Sequence, residues 1–210
     1  MQADCCKPKR IVKDETVLVV VDLQERMIPA MRDGAGAVAE SVKLIKGCAA
    51  IGCPIIVTQQ YTKGLGESVA EIKEAIESIE QDKTKGDVPC VLQDTRNVPF
   101  CLVEKSSFSA MGDEYFREVL GGLGRKSVIL CGVEAHVCIL QSALDLLEAG
   151  YDVFLATDAI SSRKKRDEKP AVMRMIHAGV TPVTVESALF ELLDNDSKSD
   201  TFKTISRLVK

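Results

Sequence analysis

Six short runs of apolar, mostly β-branched residues recur along this chain, and longer amphipathic stretches separate them. The runs are Thr16–Asp22, Pro54–Gln59, Phe100–Glu104, Lys126–Cys131, Asp152–Thr157 and Thr181–Val185. Val17 to Val21 is apolar without alternation, the pattern of a strand covered on both faces. The intervening stretches, Gly36–Ile51, Ser68–Ile79, Asp113–Gly121, His136–Ala149, Pro170–Ala178 and Ser187–Leu193, have helical spacing. Strand–helix alternation of this kind predicts an α/β fold: a single doubly wound domain, with a parallel sheet of about six strands and helices on both faces, Rossmann-like in layout. Gly52, Gly150 and Gly179 follow three of the helices and are expected to cap them. Pro170 is expected in the first turn of its helix.

In such sheets ligands bind beyond the carboxyl ends of the strands. Asp22, Gln59 to Tyr61, Lys105, Gly132 to Cys138 and Asp158 to Arg163 all follow strand candidates and are expected to converge. Two stretches break the rhythm. Residues 82–99 are polar with prolines and read as a surface insertion. Residues 195–210 end in Phe202, Ile205, Leu208 and Val209, the spacing of a short C-terminal helix packed on the body or on another subunit. The core is expected over 16–193 of a domain spanning 1–210.

The stretch Gly132-Val133-Glu134-Ala135-His136-Val137-Cys138 is expected to turn on Gly132 and to place Cys138 in the first turn of a helix. A thiol there meets the positive end of the helix dipole and unpaired N–H groups, which favour the nucleophilic thiolate. Asp22 is a candidate general base for that thiol, or simply a turn former at a strand end. Lys105 is a candidate cation that lowers the thiol pKa and holds Asp22, or a solvated loop lysine. Cysteine is also a small core hydrophobe, and this chain has eight, at positions 5, 6, 48, 53, 90, 101, 131 and 138. They form no CxxC pattern, so free thiols in a reducing, cytoplasmic setting are expected. Met1 to Arg10 lacks an apolar stretch, and no run is long enough to span a membrane. The net charge of −4 and the absence of tryptophan argue against nucleic acid as the main partner. The basic run Arg163-Lys164-Lys165-Arg166 reads as a solvated loop, with an RNA contact as its alternative.

Four separated motifs resemble the isochorismatase-like cysteine hydrolases, whose members include nicotinamidases and N-carbamoylsarcosine amidases. They are Val19-Val20-Val21-Asp22-Leu23-Gln24, Lys105-Ser106-Ser107-Phe108-Ser109, Gly132 to Cys138, and Asp158-Ala159-Ile160-Ser161-Ser162-Arg163. The likeness runs from Thr16 to Leu193. Gln59-Gln60-Tyr61 with Lys63-Gly64-Leu65-Gly66 is similar to the eukaryotic isochorismatase domain-containing branch. The resemblance implies a catalytic triad of Asp22, Lys105 and Cys138. It also implies a cis peptide at Val133–Glu134 and an oxyanion hole from the backbone N–H groups of Glu134 and Cys138. Candidate substrate contacts are Gln24, Met27, Gln60, Tyr61, Phe108 and Val133. Of these, Met27 and Phe108 either wall the pocket or belong to the core, and Gln24 either hydrogen-bonds near Asp22 or lies at the surface.

The nicotinamidase metal ligands align with Gln60 and Thr62, which are poor ligands, so neither a metal nor another cofactor is expected. True isochorismatases lack the cysteine, so its presence favours C–N cleavage of a small amide-like molecule through a thioester. The alternatives are a non-catalytic interaction module on the same fold and a hydrolase of isochorismate-type ethers. A small-molecule substrate and a homo-oligomer are the partners the family implies. His136 and His177 are the only histidines, and His136 either lines the pocket or, the favoured reading, lies at a surface helix position.

Overall fold

Valine and leucine fill β1 (Thr16–Val21), and all six of its residues are buried. In the computed structural model, which describes residues 9–81 and 100–210, this strand lies inside a six-stranded parallel sheet. Its neighbours are β2 (Ile55–Gln60) and β4 (Ser127–Val133). The full order is β3-β2-β1-β4-β5-β6, with β3 at Phe100–Lys105, β5 at Asp152–Ser161 and β6 at Thr181–Val183. The chain therefore runs outward from β1 in one direction and then, from β4, in the other. The order reverses between β1 and β4, where an open α/β sheet leaves a crevice at its carboxyl edge.

The helices are α1 (Gly34–Ile51), α2 (Thr62–Leu65), α3 (Ala70–Gln81), α4 (Glu114–Gly122), α5 (Leu140–Glu148), α6 (Lys165–Ala178), α7 (Val185–Leu193) and α8 (Asp200–Leu208). They cover both faces because side chains alternate along each strand. Leu18, Val20, Ile55, Val57, Ile129 and Cys131 pack with α1, α3, α7 and α8. Val17, Val19, Val21, Val128, Leu130 and Leu155 pack with α4, α5 and α6. Fully burying a side chain of this size stabilises by roughly 1.5–3 kcal/mol. The five buried apolar residues of β1 thus anchor firmly whatever follows the strand. The C-terminal helix packs on the body: Ile205 is buried, and Phe190 meets Phe202 with ring centroids 6.3 Å apart.

Several expectations change. Gly132 does not end its strand; β4 continues to Val133. Gly132 has φ +114°, and an added Cβ would lie 2.1 Å from the Val21 carbonyl oxygen. Glycine is needed there because two central backbones touch. A bulge between Leu130 and Gly132 lets β5 continue beside β4, pairing Gly132 with Ile160 and Val133 with Ser161. Asp158 to Ser161 therefore lie inside β5, which reaches four residues beyond the expected Thr157. Helix α6 starts at Lys165, so Pro170 sits inside it on an exposed face rather than in its first turn. Its missing N–H leaves only a carbonyl that water can reach. Gly52 and Gly179 cap α1 and α6 in the left-handed conformation as expected. The insertion expected at 82–99, with Cys90, and also Cys5 and Cys6 lie outside the described residues.

Gly132→Ala is expected to cost on the order of 3 kcal/mol or more, combining the positive φ with a backbone clash. Gly150→Ala also has positive φ, at +90°, but open space around it, and is expected to cost about 1–2 kcal/mol. Urea denaturation of the two variants beside the parent measures the difference.

Candidate active site

Asp22 is the first residue past β1 and turns the chain with φ 53°. Aspartate tolerates this left-handed geometry better than most residues. Its backbone N–H donates to Thr58 O at 3.1 Å, and its own carbonyl accepts from Gln24 N–H at 2.8 Å. The carboxylate is fully buried and held on both sides. Lys105 Nζ donates to Oδ2 at 2.7 Å, and Thr58 Oγ1 donates to Oδ1 at 2.7 Å.

Lys105 ends β3, two strands away, and its side chain is also fully buried. Taking each of these charges out of water costs several kcal/mol, so the pair persists only where its hydrogen bonds are complete. They are complete. The ammonium has three hydrogens and four oxygens in reach: Asp22 Oδ2 at 2.7 Å, and Gln60 Oε1, Ser107 O and Phe108 O at 3.1 Å each.

Cys138 approaches the pair from the other side of β1. The expected helix start splits into a π-helical turn, Ala135–Ile139, followed by α5. In that turn the Ile139 N–H reaches back five residues to Glu134 O at 3.2 Å. Cys138 is 3% exposed, and its Sγ–H donates to Gln60 Oε1 at 3.3 Å. The thiol is pushed up to about 12, first by burial and next by the Asp22 charge. The Lys105 charge and the Glu134 backbone N–H pull the other way but lose. The expected thiolate is therefore corrected to a resting thiol. Desolvation of the sulfur outweighs the local positive field.

The other expected site residues divide. Gln24 is buried and turns away from the Asp22 carboxylate. Its amide clamps the Gln60 backbone, with Gln60 N–H donating to Oε1 at 2.8 Å and Nε2 donating to Gln60 O at 3.0 Å. Nε2 also donates to Gly66 O at 2.7 Å. Gln60 itself is half-buried beside Lys105 and Cys138. Tyr61 and Phe108 adjoin the site through their backbones, but the two residues are 61% and 55% exposed, so Phe108 is not core. Met27 is half-buried against the α1-side core, and Val133 is fully buried before the cis Val133–Glu134 peptide. The Glu134 carboxylate pairs with Arg163 Nε at 2.8 Å.

Asp158, expected with the other strand-end residues, instead lies within β5 at its register shift against β4 and accepts the first N–H of α7, from Val185, at 3.0 Å. His136 is half-buried with Nδ1 at 3.0 Å from Ser162 Oγ, rather than at the surface, whereas His177 is exposed. The Thr62 N–H donates to Glu104 at 3.0 Å. Among the described residues, no group of three or more His, Cys, Asp and Glu could hold a metal ion. Thr58 was missed by sequence reasoning, since a threonine in a strand reads as one more β-branched residue. Only the pairing of Thr58 with Val21 places its hydroxyl beside Asp22.

Lys105→Met strands a buried carboxylate and is expected to cost about 3–5 kcal/mol. The double variant Asp22→Leu/Lys105→Met is expected to recover part of that loss. Chemical denaturation of parent, single and double variants checks both.

Comparison with known proteins identifies the family of this fold. The Isochorismatase domain family model matches residues 16–187. The secreted isochorismatase effector Isc1 of Phytophthora sojae is 35% identical over 208 residues, covering 96% of this chain and 87% of its own. The MAR1 ribonuclease structure from Caenorhabditis elegans has a TM-score of 0.80 and 31% identity, over 96% of this chain and 92% of that one. The YcaC gene product of Escherichia coli, described as an octameric hydrolase of unknown specificity, has a TM-score of 0.79 and 24% identity, over 97% and 92%. The match of the family model across most of the sheet and its helices, together with a relative aligned over nearly the whole chain, places this protein in the isochorismatase-like hydrolase family, among its eukaryotic-type members.

Proposed function

We propose that this protein is a cysteine hydrolase that cleaves the C–N bond of a small amide-like molecule through a thioester. The carrying observation is the fully buried Lys105–Asp22 pair, 2.7 Å apart, whose two charges bear directly on the Cys138 thiol. A neutral thiol beside a buried carboxylate suits concerted transfer, in which the hydrogen leaves as the sulfur attacks. Cys138 Sγ bonds to the carbonyl carbon while its hydrogen passes to Asp22. The oxyanion meets the backbone N–H groups of Glu134 and Cys138. The tetrahedral adduct collapses, the C–N bond breaks, and the departing nitrogen takes the proton from Asp22. Water then loses a proton to Asp22 as it attacks the thioester; a carboxylic acid leaves, and the proton returns to the sulfur. Lys105 holds the Asp22 carboxyl group in place throughout. Gln24, Met27, Gln60, Tyr61, Phe108 and Val133 are the residues proposed to shape the substrate pocket.

The protein is proposed to work without a metal, as a homo-oligomer in the cytoplasm. Assembly is supported by the octameric description of the Escherichia coli neighbour. The reducing compartment is supported by Cys48, Cys53, Cys131 and Cys138, which form no disulfide. No helix among the described residues is long and apolar enough to cross a membrane.

RNA binding is the second reading, favoured by the name of the Caenorhabditis elegans neighbour and by the exposed run from Arg163 to Arg166. Two of those four cations already have carboxylates nearby: Arg163 pairs with Glu134, and Arg166 Nε lies 3.8 Å from Asp167. Lys164 and Lys165 remain, on a chain of net charge −4. The amide reading is the better supported.

Incubation with a panel of small amides, followed by intact-mass analysis and ammonia or amine release, is expected to show an acyl adduct on Cys138. Cys138→Ala should abolish turnover, and Asp22→Asn should lower it by roughly 10²–10⁴-fold. Turnover that survives Cys138→Ala overturns the mechanism. Binding of single-stranded RNA that weakens steeply with salt, and is lost on replacing Lys164 and Lys165, would favour the second reading instead.

A further inference from the structure

We propose that Gln60 is a positioning residue of this site, whose side-chain oxygen is the shared acceptor of the Lys105 ammonium and the Cys138 thiol and so keeps the thiol hydrogen away from Asp22. This rests on the reading of Cys138 as nucleophile and Asp22 as base.

The geometry carries it. Gln60 Oε1 lies 3.1 Å from Lys105 Nζ and 3.3 Å from Cys138 Sγ. An amide oxygen accepts a hydrogen bond but does not take the proton, whereas the Asp22 carboxylate can do both. While Sγ–H points at Gln60, the hydrogen is parked on an acceptor that cannot start the reaction. The negative end of the same amide dipole faces the sulfur and disfavours thiolate.

The side chain is also free to let go. Lys105 has four oxygens for three hydrogens, so losing Gln60 Oε1 leaves no buried N–H unpaired. The Gln60 backbone, by contrast, is fixed on both N–H and C=O by Gln24. A pinned backbone with a releasable amide is a local switch. Turning the amide hands the thiol hydrogen to Asp22 and brings Nε2, a donor, to the developing thiolate. Gln60 is half-buried where Asp22, Lys105 and Thr58 are fully buried, so a molecule approaching from solvent meets it first.

Other charged groups around the turn that carries Cys138 are occupied elsewhere. Glu134 pairs with Arg163, Glu168 of α6 pairs with Arg32, and His136 meets Ser162. Within β4 and α5, Asp145 and Glu148 are the carboxylates and neither carries a shift onto the thiol; the groups that do are Lys105, by its charge, and Asp22, by its charge and by a hydrogen bond that competes with Gln60 for the thiol hydrogen.

The test follows the rate of Cys138 alkylation by iodoacetamide against pH, with the modified residue located by mass spectrometry. Altered access scales the whole curve, while only altered proton affinity moves its midpoint. Gln60→Met keeps the length and removes both donor and acceptor. Its midpoint is expected about one pH unit or more below that of the parent, which makes labelling about tenfold faster on the rising limb. Gln60→Glu puts a charge on the sulfur and is expected to label no faster than the parent at any pH. Circular dichroism confirms that each variant is folded. If Gln60→Met does not fold, the Gln60→Glu curve decides. A midpoint that is unchanged or higher in Gln60→Met, or lower in Gln60→Glu, overturns the proposal. No substrate is used, so this outcome is independent of whether amides are turned over.

Discussion

The ion pair between Lys105 and Asp22 is the constraint on which the rest of the site depends. Two charges with no solvent contact are tolerated only when every hydrogen bond they require is supplied. That requirement reaches across the sheet edge. Thr58 of β2 holds the second carboxylate oxygen, and the carbonyls of Ser107 and Phe108 wrap the ammonium. The loop after β3 is bent around a charge rather than around a core. Removing one partner leaves the other as an uncompensated buried charge, so the site and the carboxyl edge of the sheet stand or fall together.

The sheet makes this economical. Burial of β1 on both faces fixes the position of Asp22 without help from the carboxylate itself. Gly132 lets β4 approach β1 so closely that no side chain fits between them, which brings the π turn and Cys138 within reach of Asp22. Burial then has an electrostatic consequence. In so dry a place the sulfur holds its hydrogen, and the nearby carboxylate strengthens that hold.

Much of the fold was legible in order and kind. The six apolar runs became six parallel strands because buried strands need continuous hydrophobicity, and the amphipathic stretches became the helices that cover them. Boundaries moved where tertiary pairing overrode local pattern. Polar Asp158 and Ser161 read as loop, yet they lie in β5 because a bulge gave that strand a partner. Pro170 read as a helix start, yet acidic Asp167 and Glu168 open the helix earlier. At the site, Asp22, Lys105 and Cys138 were legible from the motifs and from their place at strand ends. Thr58 and the Gln24 clamp were not, since a strand threonine and a loop glutamine carry no local signal.

The sequence by itself determined the layer order, the parallel sheet and the edge at which chemistry would gather, because strand burial and helix amphipathicity are written in residue spacing. Only the tertiary structure decided the protonation state of the thiol and the partners of each charge. Those depend on desolvation and on distances between residues 36 to 116 positions apart in the chain, such as Asp22 with Thr58 and with Cys138. Spacing along a chain cannot report how dry a sulfur is or which amide faces it.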